Sequence, residues 1–334
     1  MPSSNPAVPR TVPIIKGSSV TYGSRTVSSE TIDQAFSMEI GKLRKRAGLL
    51  TVSQAALNET ELTLGAAAAN AALSNSGVPR ESLDWILVTS ETYRAFPSLA
   101  AELHSSLNLK DSCGAMDVGG ACLGILQSLA VAQAFLKSGA AETILVVSAD
   151  LHSRTLVPGK VRGEFGGLFG DGASAFVLQS AAQDDHRSFY GLCDLFFGCA
   201  SQYAHAIQLR DLPVGGLDVV FDGEALSRAA INKMVQVIEE VETRSGFSRE
   251  DAFGFATHQP NPRLVALLAK QAGVPAYLFP PIVEVHGNLG ASTCGAALHE
   301  LLCPAGRSEI ATRKPIFLAS LGPGLLFGGG WLVP

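Results

Sequence analysis

The sequence has little charge and no excess of basic residues. Of its 334 residues 16% are charged, and 25 Lys+Arg face 30 Asp+Glu, giving a formal net charge of -5. This mildly acidic balance argues against a nucleic-acid-binding surface as the main function. No run approaches the roughly 18 consecutive apolar residues of a membrane span, and residues 1–30 lack the apolar core of a signal peptide. We therefore expect a cytoplasmic protein without nucleic-acid or membrane partners.

Cysteine is scarce too. None of the six Cys residues forms a CxxC pair or a Cys/His cluster with zinc spacing, so no metal site is expected. A chain of this size with few cysteines and no secretion signal keeps its thiols reduced. One of the six can therefore act as a nucleophile, although most buried free cysteines are simply small core residues.

Apolar residues and glycine, in contrast, are abundant. Hydrophobic residues make up 47% of the chain, and there are 34 Gly. This composition is typical of a densely packed globular enzyme. At roughly 150 residues per domain, the length predicts about two domains or one large duplicated one.

The chain begins with a segment rich in Pro and Ser, and we predict a flexible tail over residues 1–11. A strand is predicted at 12–17 and a mostly helical region at 29–74, interrupted around Asn58. The apolar run WILVTSE at 85–91 predicts a buried strand, and Pro97 opens a helix that runs to about Leu107.

One pattern occurs twice: a glycine turn, a helix of small residues and a buried strand, at 119–149 and again at 287–320. Helices this poor in charge between apolar strands are expected to be covered by sheets on both sides. Between the two copies we predict a long helix at 223–244, a strand ending at His258 and a helix at 261–272. The predicted halves, 12–181 and 182–334, share one core.

Three residues stand at matching ends of these units. Cys122 lies where the first small-residue helix begins, and the helix dipole there is expected to lower the pKa of its thiol. His258 ends a strand, before a turn that holds Pro260, and Asn288 begins the second small-residue helix. Each has a plain alternative: a core cysteine, a structural histidine, an N-cap asparagine. Together they indicate nucleophilic catalysis.

Several motifs in a fixed order carry a family resemblance. They are DVGGACLG around Cys122, LFGDGASAFVL, THQPNPR around His258, HGNLGAS around Asn288 and the terminal SLGPG. Over residues 12–333 the chain resembles the thiolase-fold condensing enzymes, in particular the β-ketoacyl-[acyl-carrier-protein] synthase III branch. The resemblance implies an α/β fold in five layers, αβαβα, made of two duplicated halves with mixed five-stranded sheets, assembled as a homodimer.

The resemblance also implies a mechanism. The Cys122 thiolate takes an acyl group from a thioester, and a second thioester then becomes an enolate-like nucleophile. His258 and Asn288 donate hydrogen bonds to the developing oxyanion, and the backbone N–H groups of Cys122 and Gly324 form the hole for acyl transfer. No cofactor is expected beyond the phosphopantetheine that carries the substrates.

The chain departs from the family where coenzyme A is recognised. The segment GKLRKRAGL has no aromatic residue where many synthase III enzymes place a Trp on the adenine, although Arg162 resembles the arginine of the same clamp. This favours acyl carrier protein as the donor. Asn261 and Arg263 match the family pattern and are candidates for phosphopantetheine or carrier contact. The basic run at 42–46 either meets an acidic carrier or is a solvated helix face.

Other departures indicate specialised chemistry. The SLGPG loop, with Leu321 in a substrate-binding position, resembles the GFGPG loop of chalcone-synthase-type enzymes. Glu91 occupies a loop where HMG-CoA synthase has an acid/base glutamate, so it is a candidate to deprotonate a donor. Its alternative is an exposed loop carboxylate. Phe96 resembles the residue that reaches across the family's dimer interface into the neighbour's acyl pocket.

These features predict a stand-alone ketosynthase of polyketide or related specialised metabolism. It would acylate itself on Cys122 and join two acyl or β-ketoacyl thioesters, at least one bound to a carrier protein, and two β-keto chains could close to a pyrone. One alternative is a synthase-III-like acyltransferase that acts on a hydroxyl or amine. The other is the enzyme that initiates fatty acid synthesis from acetyl-CoA and malonyl-carrier protein.

Overall fold

The computed structural model describes residues 12–181, 189–205, 207–211, 217–221, 223–303 and 314–334. The flexible tail expected at 1–11 and the boundary expected at 182 lie outside these ranges. The strands are β1 (Val12–Tyr22), β2 (Arg25–Ser28), β3 (Thr51–Gln54), β4 (Trp85–Thr89), β5 (Gly114–Asp117), β6 (Thr143–Leu151), β7 (Asp171–Ala181), β8 (Gly191–Cys199), β9 (Ile207–Asp211), β10 (Leu217–Phe221), β11 (Gly254–Thr257), β12 (Ile316–Gly322) and β13 (Leu326–Val333). The α-helices are α1 (Ser29–Ala35), α2 (Lys42–Ala47), α3 (Glu61–Ser76), α4 (Leu99–Ser106), α5 (Gly124–Ser138), α6 (Gly163–Gly166), α7 (Gly223–Ser245), α8 (Pro262–Ala272), α9 (Ile282–His286) and α10 (Ala291–Leu302).

The sheet repeats one arrangement in each half. In the first half β4 pairs parallel with β6, which continues antiparallel through β7 to β1. In the second half β11 pairs parallel with β12, which continues antiparallel through β13 to β8. The same sequence of one parallel and two antiparallel ladders supports the duplication that the sequence pattern predicted.

The two halves join into one sheet. The order is β11-β12-β13-β8-β1-β7-β6-β4-β5, and the halves meet through the pair Ile14 and Gly191. Each half was expected to hold a mixed five-stranded sheet. The first half does supply five strands, but the described part of the second half supplies four, because β5 at the far edge has no counterpart there.

Alternation along the strands produces the five layers. Ile144 and Val146 of β6 face a central cluster that also holds α5, α10 and residues of β11 and β12. Leu145 and Val147 face the opposite side, where α3 and α4 pack. On the outer face of the second half, Phe255 joins a cluster with residues of α7 and α8. Because the side chains of a strand alternate between its two faces, each half of the sheet is buried on both faces.

The central helix α5 corrects the expectation that no run of the sequence is long and apolar enough to cross a membrane. The segment Ala121–Ser138 is long and apolar enough to cross a membrane by length and composition. Here its apolar side chains, among them Leu126, Leu129 and Leu136, are buried between the two halves. A helix covered by sheets on both sides has to be apolar all round, and this accounts for its composition.

The region 29–74 is less helical than predicted. It contains α1, α2 and α3 but also the strand β3, which pairs antiparallel with β2. The strand TVSQ has four residues, too few for a period of two to stand out from the helical pattern beside it. This small ribbon matters for the site, because Ser53 of β3 hydrogen-bonds His286, two residues before Asn288.

Candidate active site

Cys122 lies in a 3-10 turn, Ala121–Leu123, between the end of β5 and the start of α5. The turn is sharp: Gly120 has φ +126° and Ala121 has φ +49°. A positive φ at a non-glycine residue is strained, and such strain is often found at functional sites. The hydroxyl of Ser320 on β12 donates to the carbonyl of Cys122 at 3.0 Å. The second half therefore fixes the backbone of the nucleophile candidate in the first.

His258 follows the last residue of β11, as the sequence predicted. Its backbone N–H donates to the carbonyl of Ala319 on the neighbouring strand β12, at 3.2 Å. The side chain is buried. Burial lowers the pKa of His258 to about 4, against an opposing effect of the Glu91 charge. At neutral pH the imidazole is therefore neutral and keeps one N–H to donate.

Asn288 is oriented by its own hydrogen bonds. Its Oδ1 accepts from the backbone N–H of Gly290 at 3.0 Å and from the hydroxyl of Thr293 at 3.2 Å. Because a backbone N–H only donates, the atom facing Gly290 has to be the amide oxygen. The amide nitrogen is then the end that can donate to a substrate, as stabilisation of an oxyanion requires.

The backbone of Asn288 is held by the loop between α6 and β7. Its N–H donates to the carbonyl of Leu168 at 2.8 Å, and its carbonyl accepts from the N–H of Gly170 at 3.0 Å. A Cβ at Gly170 would lie 2.0 Å from the carbonyl oxygen of His286. The close approach of these two backbones therefore requires glycine.

We expect Gly170→Ala to destabilise the protein by about 2 kcal/mol or more, because a backbone carbonyl cannot rotate away as a side chain can. Thermal unfolding followed by circular dichroism measures this. Gly119→Ala is the matched control, since a Cβ there would meet nothing within 4 Å. Equal melting temperatures for the two variants would contradict the prediction.

Cys122, His258 and Asn288 line one cavity of about 1020 Å³, open mouth included. Its walls are mostly apolar, with side chains from α7 and α8 and from the loop after α6, among them Met234, Leu264 and Phe169. Asn261 and Leu321, both predicted to bind substrate, also line it. An apolar cavity that holds a few polar groups is typical of sites for small molecules or cofactor arms.

The other predicted binding residues lie elsewhere. Arg162 and Arg263 are exposed, at the start of α6 and in the first turn of α8. Phe96 is fully exposed. Gly324 is not among the residues lining the cavity, although its neighbours Pro323 and Leu325 are. The roles of these four residues remain predictions.

Glu91 is not an exposed loop carboxylate. Its side chain is 16% exposed and its Oε2 lies 3.5 Å from Nε2 of His152. The backbone N–H of Glu91 donates to Oδ1 of Asp150 at 2.5 Å. Burial raises the pKa of Glu91, but hydrogen bonding and charge from His152, together with Cys122 and His258 nearby, outweigh it, so that the pKa is lowered. A buried acidic and basic cluster thus lies directly beside the cysteine.

This cluster overturns the expectation of an acidic thiol at Cys122. Burial and then the charge of Glu91 raise the Cys122 pKa well above its ordinary value, and the hydrogen bond from the backbone at the helix start lowers it less. The helix terminus was the only effect visible in the sequence. The free enzyme therefore holds Cys122 as a thiol, which has to lose its proton as it attacks.

We expect alkylation of Cys122 by iodoacetamide to be slow at pH 7 and to accelerate about tenfold per pH unit up to about pH 9, because only the thiolate reacts. Peptide mapping by mass spectrometry gives the rate at each cysteine. The exposed Cys199 in the same digest reports on the reagent itself. A Cys122 rate already constant above pH 6 would contradict the raised pKa.

Comparisons with known proteins agree with this geometry. The family model of 3-oxoacyl-[acyl-carrier-protein (ACP)] synthase III matches residues 116–192, and that of its C-terminal part matches residues 243–333. β-Ketoacyl-[acyl-carrier-protein] synthase III of Salmonella typhimurium is 30% identical over 284 residues, covering 85% of this chain and 87% of the relative. The chain belongs to the synthase III family. It is accordingly a condensing enzyme that transfers acyl groups.

Solved structures show the same fold. The priming β-ketosynthase of the R1128 polyketide pathway superimposes with a TM-score of 0.87 at 23% identity, covering 99% of this chain and 98% of that one. A Xanthomonas campestris OleA variant with bound lauric acid and lauroyl-CoA gives a TM-score of 0.85 at 19% identity, covering 97% and 100%. The thiolase-like fold of this synthase III relative is thereby confirmed.

Two residues of the site were not found from the sequence. Asp150 and His152 end the apolar strand ILVVSADL and begin the turn after it. Their position could have been noticed, because an acid and a histidine at the end of a strand buried on both faces are unusual. What the sequence could not show is that the loop after β4 brings Glu91 to them. In the described ranges, no group of three His, Cys, Asp or Glu side chains could hold a metal ion.

Proposed function

We propose that this synthase III relative is a stand-alone ketosynthase of polyketide or related specialised metabolism. It acylates itself on Cys122 and then joins that acyl group to a second acyl or β-ketoacyl thioester by Claisen condensation. When both chains carry a β-keto group, the product can close to a pyrone. The observation that carries the proposal is the shared cavity of Cys122, the neutral His258 and the amide of Asn288.

Each residue has one task in this reaction. The Cys122 sulfur attacks the first thioester and holds the acyl group as an enzyme-bound thioester. The second thioester becomes an enolate, whose oxygen accepts hydrogen bonds from His258 and Asn288. A neutral imidazole suits this task, because it donates without transferring its own proton. Attack of the enolate carbon on the Cys122 thioester forms the new bond and releases the sulfur.

The presence of Glu91 favours a donor thioester that has no carboxyl group to lose as carbon dioxide. A malonyl donor generates its enolate by losing carbon dioxide and needs no base, whereas a simple acyl or β-ketoacyl donor has to lose a proton. Glu91 is buried, its pKa is lowered, and its charge acts on Cys122, where the acyl acceptor is held. We therefore assign Glu91 as the base that takes the α-proton of the donor.

A carrier protein is the proposed source of at least one thioester. The helix α2 buries Leu43 and Ala47 and exposes its basic side chains Arg44, Lys45 and Arg46. It packs against α8, which lines the cavity. An acidic carrier docked on α2 would have its phosphopantetheine arm close to the passage toward Cys122. Exposed Arg263 and the amide of Asn261 are further candidates for this contact.

A homodimer is proposed on the basis of the family resemblance. Phe96, the residue that the resemblance places at the dimer interface, is fully exposed in the single chain. In a dimer of the kind that the family resemblance implies, this ring would close the neighbour's acyl pocket. Sedimentation of the purified chain tests the assembly directly.

The second candidate function is initiation of fatty acid synthesis. It is favoured by the Salmonella typhimurium relative, whose name is that of a β-ketoacyl-[acyl-carrier-protein] synthase III. That reaction would use acetyl-CoA and malonyl-carrier protein. Against it stands Glu91, because a decarboxylating donor has no use for a base beside the cysteine.

Intact-mass spectrometry after exposure to a panel of acyl-carrier and acyl-CoA thioesters, followed by a second thioester, tests the proposal. We expect acylation of Cys122 and its discharge into a larger β-keto product with donors that lack a carboxyl group. Turnover restricted to acetyl-CoA and malonyl-carrier protein would establish the initiating enzyme instead. Discharge only onto an alcohol or amine would show an acyltransferase.

A further inference from the structure

A buried polar cluster lies beside Cys122 and against Phe169, a residue of the cavity wall. Glu91 comes from the loop after β4, Asp150 from the end of β6 and His152 from the turn that follows. His152 is 4% exposed, and its ring packs at a tilt against that of Phe169. None of the reaction steps above requires His152, yet it is the cation next to the proposed base.

The hydrogen-bond partners of His152 fix where its protons are. Nδ1 faces the carbonyl oxygen of Gly170 at 3.3 Å, and a carbonyl only accepts, so Nδ1 carries a hydrogen. Nε2 faces Oε2 of Glu91 at 3.5 Å, which is long for a hydrogen bond and close for an ion pair. A bare nitrogen lone pair against a carboxylate would be repulsive, so one proton has to lie between them.

The pair is therefore either imidazolium with carboxylate or imidazole with carboxylic acid. Hydrogen bonding and charge from Glu91 outweigh burial and raise the pKa of His152 to about 9, while the pKa of Glu91 is lowered. Both directions identify the charged pair. His152 thus carries the positive charge that keeps Glu91 ionised in a buried place.

The two oxygens of Glu91 have different surroundings. Oε2 faces His152, whereas Oε1 is buried and has no hydrogen-bond partner among the described residues. A Cβ at Gly290 would lie 2.7 Å from Oε1 and 2.6 Å from Cε1 of His152. Oε1 is therefore next to Gly290, whose N–H orients the amide of Asn288. The open oxygen lies on the side where the enolate oxygen is to be stabilised.

We propose that His152 is a positioning residue for this base. It holds Oε2 of Glu91 and leaves Oε1 directed at the α-proton of the donor. This inference rests on the proposed condensation. Asp150 completes the arrangement through the backbone, because its Oδ1 accepts from the N–H of Glu91.

The protons balance over one cycle. Oε1 takes the α-proton, and the electron pair of that C–H bond becomes the enolate. The enolate carbon attacks the Cys122 thioester, the carbon–sulfur bond breaks, and the sulfur leaves as thiolate. That thiolate takes the proton from the Glu91 carboxyl, which is downhill because the Cys122 pKa is strongly raised. Glu91 is then ionised again beside the charged His152.

The charges around Glu91 set the expected pH dependence. The titratable groups that face the Glu91–His152 pair come from several elements, and apart from His152 none is a cation at neutral pH: Cys122, Asp150, Asp171 and His258. Without His152, Glu91 would be a desolvated carboxylate near Asp150. Its pKa would rise, and a smaller fraction would be ionised at pH 7.

The test compares His152→Leu and His152→Gln with the unmodified protein. We expect His152→Leu to lower the rate constant of condensation at pH 7 by about 10-fold to 100-fold, less than the loss of a whole general base. The rising limb of its pH–rate profile should move up by about one pH unit or more, with little change in KM for the donor. His152→Gln keeps a hydrogen-bond donor without the charge, and should recover most of the rate above about pH 8.

One result would overturn the role of His152, and another would overturn the role of Glu91 on which it rests. A loss in His152→Leu that is equal at every pH, or an unmoved profile, would leave His152 a packing residue only. His299→Gln is the matched control, a partly buried histidine that hydrogen-bonds Ser18 elsewhere, and its profile should stay in place. If Glu91→Gln condensed donors that lack a carboxyl group as fast as the unmodified protein does, the assignment of Glu91 as the base would be wrong. Thermal melts confirm that each variant folds.

Discussion

Replacing Cys122 with alanine is expected to abolish both self-acylation and formation of the new carbon–carbon bond, with a loss on the order of 10⁴-fold or more. Among the described residues that line the cavity, no other cysteine can hold an acyl group as a thioester. His258 and Asn288 would still bind and polarise a donor, so slow release of carbon dioxide from a malonyl donor can persist. Intact mass and product analysis measure the two reactions separately.

Cys294→Ala is the control for this variant. Cys294 is also a buried free cysteine, lies on the central helix α10, and hydrogen-bonds the carbonyl of Ala256 instead of lining the cavity. Its loss should cost stability but leave self-acylation. Condensation product from Cys122→Ala at a rate near that of the unmodified protein would end the covalent mechanism.

Glu91→Gln is expected to move two properties in opposite directions. Condensation of donors that lack a carboxyl group should fall by about 10²-fold to 10⁴-fold, because the base is gone. Alkylation of Cys122 at neutral pH should become faster, because removing the adjacent negative charge lowers the pKa of its thiol. A variant that merely unfolds would be recognised by its other buried cysteines, Cys113 and Cys294, which would become reactive together with Cys122.

The donor and a second glutamate provide the controls. A malonyl donor should bypass the defect of Glu91→Gln in large part, since loss of carbon dioxide replaces removal of a proton. Glu164→Gln removes a carboxylate that is 55% exposed and paired with Lys42 on the surface, and should leave both rates in place. If Glu91→Gln slowed alkylation of Cys122, the assigned charge interaction between the two residues would be wrong.

Most of the fold followed from periodicity. The strands β4, β6, β11 and β12 and the helices α5, α7, α8 and α10 lie close to where apolar runs and small-residue helices predicted them. The ribbon of β2 and β3 did not follow, because four-residue strands carry too few residues for their alternation to be recognised. The continuity of the sheet across Ile14 and Gly191 did not follow either, since pairing partners 177 positions apart leave no local pattern.

The sequence predicted some residues of the site and missed others, and the difference has a physical cause. Cys122, His258 and Asn288 stand at matching ends of elements, and the family resemblance of the motifs around them predicted their roles. The charge on the Cys122 thiol could not be predicted, because it depends on Glu91 and on burial, both of which require the tertiary structure. His152 became recognisable only when its two hydrogen-bond partners, 61 and 18 positions away, were known.

The repeated ladder order has a consequence for ancestry. Each half holds a parallel pair followed by two antiparallel pairs, so each half descends from the same unit, yet neither retains a complete reaction centre. The first half carries the Cys122 thiol at the start of its small-residue helix, and the second half carries the Asn288 amide at the equivalent place. Neither half could therefore carry out the reaction alone. A substitution in either half acts on a reaction centre that the other half completes.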